Sequence, residues 1–197
     1  DFTDVEIFGP FEVELVPDSI SDIVISAEEN VMNAIETGTR DNSVFIRVRN
    51  DVRLRNHLPM SITVHNPAFQ RVKFNGSGSL TNKDTLKSAF FKYELNGSAG
   101  ADLKLNVENL DITINGSGST TLSGSAEDIN STINGSGDVD AGDLPVNKAD
   151  LTINGSGTYR VWVNEQLNAK IYGSGNIYFK GDAALSTDIK GSGKIIR

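Results

Sequence analysis

Serine flanked by glycine is the most frequent unit of reactive character in this chain. Gly-Ser-Gly begins at Gly76, Gly116, Gly135, Gly155, Gly173 and Gly191, and a degenerate Gly-Ser-Ala begins at Gly97. A serine nucleophile needs a base within reach, and only His57 and His65 carry an imidazole. Two histidines cannot serve seven equivalent serines, and no copy matches a Gly-x-Ser-x-Gly nucleophile elbow. A phosphate cradle would need a helix after the loop, so that N-terminal amides could hold the anion; no helical pattern follows any copy. The motif therefore reads as a structural turn. Its corner residues are Gly76 and Gly78, Gly116 and Gly118, Gly135 and Gly137, Gly155 and Gly157, Gly173 and Gly175, and Gly191 and Gly193.

The other chemical candidates are sparse. His57 and His65 lie eight residues apart, away from clustered carboxylates. Asp138, Asp140 and Asp143 are the densest acids and could ligate Ca²⁺ weakly, but they read more simply as solvated loop acids. Glycoside cleavage needs two carboxyl groups about 5–10 Å apart in a cleft. Asp111, Asp150, Glu94 and Asp188 fall on outward positions, but no long loops are present to build that cleft. No catalytic residue, cofactor or metal site is expected. Two surface clusters remain as candidate ligand contacts. Arg47, Arg49, Arg53 and Arg55 interleave with Val48, Val52 and Leu54, which in a strand would put the arginines on one outer face. They could bind acidic glycans, or simply pair with the acids of residues 1–41. Trp162 and Lys180 hold the matching position of successive repeats, with Tyr178 also outward. They would stack one strand spacing apart as a cation–π pair, and an exposed indole beside a tyrosine could meet a sugar ring.

Composition limits what such surfaces could bind. The chain has 197 residues, a net charge of −8 and no cysteine. Its acidity, with a pI near 4.7, argues against nucleic acid and against an anionic membrane surface. The lack of cysteine removes disulfides, thiolate metal sites and a cysteine nucleophile. No apolar run approaches the roughly 18 residues needed to span a bilayer. The chain begins at Asp1, so removal of an upstream secretory signal is the expectation.

The elements that position these residues follow from the repeat. Successive motifs start 21, 19, 19, 20, 18 and 18 residues apart. Two residues before each first glycine stand Phe74, Leu95, Ile114, Ile133, Ile153, Ile171 and Ile189; two past each motif stand Leu80, Ala101, Thr120, Val139, Tyr159, Ile177 and Ile195. Mostly apolar side chains thus alternate with polar ones on both sides of the motif, which is the strand period. Periods near 20 residues mark a solenoid or an array. Asn-Gly tolerates the positive φ of a tight turn, so a hairpin array fits the local chemistry, but it gives no reason for constant phasing. Stacked coils do, because Asn would then lie over Asn and Ser over Ser at roughly 4.8 Å, bonding up the stack. The expected fold is all-β: one single-stranded β-helical domain over 1–197 with 18–21 residues per coil. Residues 1–75 would form irregular N-terminal coils and a cap, and residues 76–197 the seven repeats. Strands are expected at Val5–Phe8, Phe11–Val16, Ile23–Ser26, Val44–Arg49 and Ser61–Val64.

The phased Asn-Gly-Ser-Gly units, best seen at Ile114-Asn115-Gly116-Ser117-Gly118, follow Phe2-Thr3-Asp4-Val5-Glu6-Ile7 and the Phe11–Val16 strand. In this the chain resembles the putative auto-transporter adhesin, head GIN domain family of Bacteroidetes envelope proteins. The resemblance implies a right-handed β-helix, export to the periplasm, outer membrane or cell surface, and an adhesin role. It supplies no catalytic residues. Ala99, Tyr172 and Lys190 depart from the pattern and would break the ladders locally. The functional expectation is a non-catalytic binding or adhesion module whose partner is a glycan or a surface protein. A structural spacer and a carbohydrate-active enzyme are the alternatives. Only Lys194-Ile195-Ile196-Arg197 follow the last motif, so self-association through an open C-terminal edge is also expected.

Overall fold

A computed structural model describes residues 2–54 and 58–197. It is 74% strand and 2% helix, wound as a β-solenoid of about 7 turns with about 19 residues per coil. Where the repeat is regular, a single long strand serves a whole coil: β10 (Gly100–Gly116), β11 (Ser119–Gly135), β12 (Asp138–Gly155) and β13 (Thr158–Gly173). Each pairs with the next in parallel, and the motif glycines meet in register, Gly116 with Gly135, Gly155 and Gly173 in turn. The stack ends in β14 (Asn176–Lys180), β15 (Ala184–Gly191) and β16 (Lys194–Ile196).

The N-terminal coils are not stacked in sequence order. Strand β1 (Asp4–Phe8) lies between β5 (Ser43–Val48) and β7 (Arg71–Gly76), parallel to both. Likewise β2 (Phe11–Pro17) lies between β6 (Met60–Asn66) and β8 (Gly78–Asn82). Strands β5 and β6 are therefore first in space, although β1 and β2 precede them in sequence. Between them the chain makes β3 (Asp22–Ser26), antiparallel to β6, a single helical turn α1 (Glu29–Met32), and β4 (Ile35–Arg40), antiparallel to β5. Strand β9 (Leu86–Gly97) joins this end to β10.

Period-2 alternation produces the core. Ile46, Ile7, Phe74, Leu95, Ile114, Ile133, Ile153 and Ile171 stack in one inward row, all buried. Tyr93 and Tyr159 are buried too; burial raises the pKa of both hydroxyls. Tyr159 crosses to Ser131 Oγ at 2.8 Å, which satisfies it. At the last coil the row runs out, and Leu185, Ile189 and Ile196 are exposed on the expected C-terminal edge.

The corner chemistry differs in detail from the sequence reading. Asn-Gly tolerates positive φ, but the motif asparagines do not adopt it; Asp41 is the one non-glycine with positive φ among the described residues. The first glycine of every motif carries it, as at Gly135 with φ 137°, and the second glycine does so only at Gly78, with φ 129°. A Cβ there would lie 2.3 Å from the carbonyl oxygen of Gly116 in the coil below. Gly137 has no such φ; its Cβ would meet Gly118 O and Ile114 Cγ2 at 2.8 Å. The asparagine ladder forms: Asn96, Asn115, Asn134 and Asn154 each donate Nδ2 to the Oδ1 of the asparagine below at 2.8–2.9 Å. The serine hydroxyls form no such ladder among the described residues. Serine instead uses its backbone, Ser136 N–H donating to Gly116 O at 3.0 Å.

This packing makes two substitutions informative. Ile133→Ala should cost about 2–5 kcal/mol, since the neighbouring coils cannot close the gap without losing register; thermal or urea unfolding measures it, and an unchanged midpoint would refute the buried row. Gly135→Ala should destabilise by at least about 1–3 kcal/mol from φ strain alone. Gly137→Ala should cost less, because Ala99 already fills the equivalent position in its own coil, fully buried. Equal costs in urea unfolding would contradict the assignment of strain to the first glycine.

Candidate ligand-binding surfaces

On one side of the solenoid, strand register sets out two outward columns. One runs Arg47, Phe8, Asn75, Asn96, Asn115, Asn134, Asn154, Tyr172, Lys190. The next runs Phe45, Glu6, Lys73, Glu94, Thr113, Thr132, Thr152, Lys170, Asp188. Both are uniform in the middle and irregular at the ends.

The C-terminal coils hold the aromatic candidates. Arg160 and Trp162 on β13 face Tyr178 and Lys180 on β14, in register. Lys180 Nζ lies 4.3 Å from the Trp162 ring centroid and Arg160 Cζ 5.6 Å from that of Tyr178. Each strand thus contributes one cation and one ring. Both rings are 37% exposed, so the lattice stabilises the sheet and still meets solvent. Asp140 precedes Arg160 in its row, and Ile196 follows Tyr178. These four residues, with Lys180 and Arg197, border a shallow cavity of about 240 Å³. Around the corner, Lys190 stacks on Tyr172 at 5.0 Å while the Tyr172 hydroxyl donates to Asp188 at 2.9 Å. The departures from asparagine at 172 and 190 therefore replace an amide ladder with a ring and a cation. Arg160 was missed from sequence because only its position under Tyr178 makes it notable.

The arginine row is not one face. Strand β5 ends at Val48, so the alternation of Arg47 and Arg49 does not continue to Arg53. Arg49 turns to Asp51, with Nη2 2.6 Å from the carboxylate, and Arg53 lies outside any strand. Arg55 and His57 fall outside the described residues. Arg47 alone keeps an outward strand position, pairing with Glu36 at 2.8 Å and lying over Phe45 at 5.2 Å.

Arg47 also borders a basin that sequence reasoning did not find. The outer faces of β5, β1 and β7 form its floor, and the β4–β5 hairpin turn at Asp41-Asn42 forms one wall; its volume is about 470 Å³. The hollow has a steric cause. Gly38 of β4 pairs with Phe45, and a Cβ on it would come 2.5 Å from the Phe45 ring, so the ring lies down across the gap. Phe8, 38% exposed, stands beside Arg47.

The carboxylates are not arranged for acid–base work. Glu94 and Asp188 share a column but sit five strands apart, roughly 24 Å at the usual spacing. Asp111 and Asp150 are two strands apart, about 10 Å, with Asn130 between them on an open face. Burial pushes the Glu94 carboxyl up, but Lys92 at 2.9 Å and Arg71 at 3.2 Å outweigh it and hold its pKa below the ordinary value. Asp18, bonded by the Ser19 amide, and Asp51, bonded by Arg49, are also lowered. A general acid needs the opposite shift. Asp140 accepts the Gly142 amide at 3.0 Å, and no metal-competent cluster of three or more His, Asp or Glu occurs among the described residues.

Solved structures share this architecture. A putative adhesin from Bacteroides fragilis superposes with a TM-score of 0.93 at 23% identity, covering 99% of this chain and 91% of that one. A putative lipid binding protein from Parabacteroides distasonis gives 0.82 at 22% identity, covering 100% and 93%. A putative adhesin from Parabacteroides merdae gives 0.79 at 21%, covering 100% and 92%. At these identities the likeness is one of fold. No curated protein matches the chain. The family model described as putative auto-transporter adhesin, head GIN domain, matches residues 1–183, and the chain belongs to that family.

Proposed function

We propose that this chain is an exported, non-catalytic adhesion module of the bacterial cell envelope, which meets its ligands at the irregular ends of the solenoid. The family to which it belongs supports adhesion. The observation that carries the reading is the contrast along the outward columns. In the middle, Asn96, Asn115, Asn134 and Asn154 and Thr113, Thr132 and Thr152 repeat without change. A spacer needs nothing more than such columns. At the ends, rings and cations replace them, and a rigid ladder holds those groups with little conformational freedom left to lose on binding. Trp162, Tyr178 and Lys180, joined by Arg160, are the proposed contacts at the C-terminal end; they stand on other columns of the same coils as Tyr172 and Lys190. A lipid-binding role, after the Parabacteroides distasonis relative, finds less support: stacked, buried aliphatic and aromatic rows fill the interior that an acyl chain would need.

Trp162 is the one tryptophan in the chain and serves as a built-in reporter. Beads coated with the protein should adhere saturably to bacterial or epithelial cells. Trp162→Ala or Lys180→Ala should weaken adhesion at least about tenfold without altering the fold, as expected for a central contact. Soluble surface extract should shift the Trp162 emission. No saturable adhesion by the wild type would favour the spacer instead.

A further inference from the structure

The basin at the N-terminal end combines charges of both signs that do not pair across it. Asp4, Glu6 and Asp41 border it together with Arg40, Arg47 and Arg71. Among the described residues, no ion pair joins these carboxylates to these arginines. Arg47 reaches outward to Glu36 and Arg71 to Glu94, while Arg40 and Glu6 form no ion pair with any described residue. Strand register sets Asp4 beside Ser43 and Arg71, and Glu6 beside Phe45 and Lys73, yet the Arg71 guanidinium turns to Glu94 instead of Asp4. Two covered polar atoms of the lining, Ser43 Oγ and Arg71 Nε, have no hydrogen-bond partner. Native structures satisfy most such groups, so polar chemistry is left unfinished at this place.

The mixture selects a ligand class. An anion would be attracted by the arginines but opposed by three carboxylates, and a cation would meet the reverse. A hydroxyl group suits both, because it donates to a carboxylate and accepts from a guanidinium at once. Phe8 adds an exposed apolar ring against which the C–H face of a pyranose can lie. The volume of about 470 Å³ falls within the ordinary range of small-ligand sites. We infer that this basin binds a neutral, hexose-based saccharide. The inference rests on the adhesion reading and names a ligand class for it. Arg40 and Glu6 supply hydrogen bonds, and Phe8 supplies the stacking surface.

An array of neutral oligosaccharides (galactose-, glucose- and mannose-terminated) beside acidic ones (uronate- and sialate-terminated) tests this with the full chain. The expected result is retention of neutral members at least about tenfold above acidic ones. Phe8→Ala and Arg40→Ala should each lose about tenfold or more with unchanged melting temperature, since neither side chain is buried or ion-paired. Binding of the neutral members should leave Trp162 emission unmoved, because that ring lies at the far end. Preference for acidic members, undiminished binding by both basin variants, or no binding at all would overturn the inference. Adhesion to cells whose surface glycans have been destroyed by periodate separates the two readings. Adhesion that survives there, with a blank array, removes the saccharide and keeps the adhesion module; loss of adhesion to untreated cells as well removes both.

Discussion

The close approach of backbone at one corner governs this structure. From Gly9 through Gly76, Gly97, Gly116, Gly135, Gly155 and Gly173 to Gly191, a glycine with φ between 133° and 146° occupies the same place in successive coils. From Gly76 onward there is no room for a Cβ, since the carbonyl of the glycine below fills that space. At this corner the column holds coil against coil in register, and the differences in coil length are taken up elsewhere, as bulges between Thr121 and Ser123 and between Ala141 and Pro145. A slip would turn every inward side chain outward, so the buried isoleucine row and the asparagine ladder both inherit their order from this corner. The asparagine bonds lie at the surface and are individually modest. They follow the register more than they create it.

Parallel stacking leaves two open ends, and the chain treats them differently. At the N-terminal end it places β5 and β6 outside β1 and β2 and lays β3 and β4 antiparallel against them. The reversal covers the first coil with a different backbone direction, so a further parallel coil cannot continue the stack there. Asn66, buried, ties this detour down by donating to the carbonyls of Phe2 and Ala68 and accepting from Ser21. The C-terminal end has a different character. There β15 carries the inward-parity residues Leu185 and Ile189 at 45% and 41% exposure, with Arg197 bridging to Asp182 and the Gly181 carbonyl.

Legibility in the sequence tracks repetition. The coil length, the inward rows, the asparagine ladder and the pairing of Trp162 with Lys180 were all readable, because each is one motif position copied at a fixed interval. Gly9 was not recognised as the start of the glycine column, since Pro10 and Phe11 stand where the repeat has serine and glycine. The basin was unreadable for a stronger reason. Asp4, Arg40, Phe45 and Arg71 meet because the second coil in sequence is the first in space, and no local period records that exchange. The arginine row misled for the converse reason. Its alternation passes through Val48, where the strand ends, and Asp51 then draws Arg49 aside. Alternation specifies a face only while the ladder lasts.

Repetition also limits where such a molecule can recognise anything. A ligand held by Asn115 and Thr113 would find the same groups one coil away at Asn134 and Thr132, with nothing to choose between them. A uniform column can give avidity along its length, but it cannot define a single site. Specificity requires the repeat to break, and a break inside the stack is costly because each coil is packed by two others. The end coils have one coil neighbour, or an antiparallel strand in place of the second. They can exchange asparagine for lysine, as at Lys190 on the last coil, or admit Gly38 beneath Phe45, without disturbing a following coil. The glycine column that makes the middle rigid therefore leaves its ends as the places where rings, cations and unpaired carboxylates can gather.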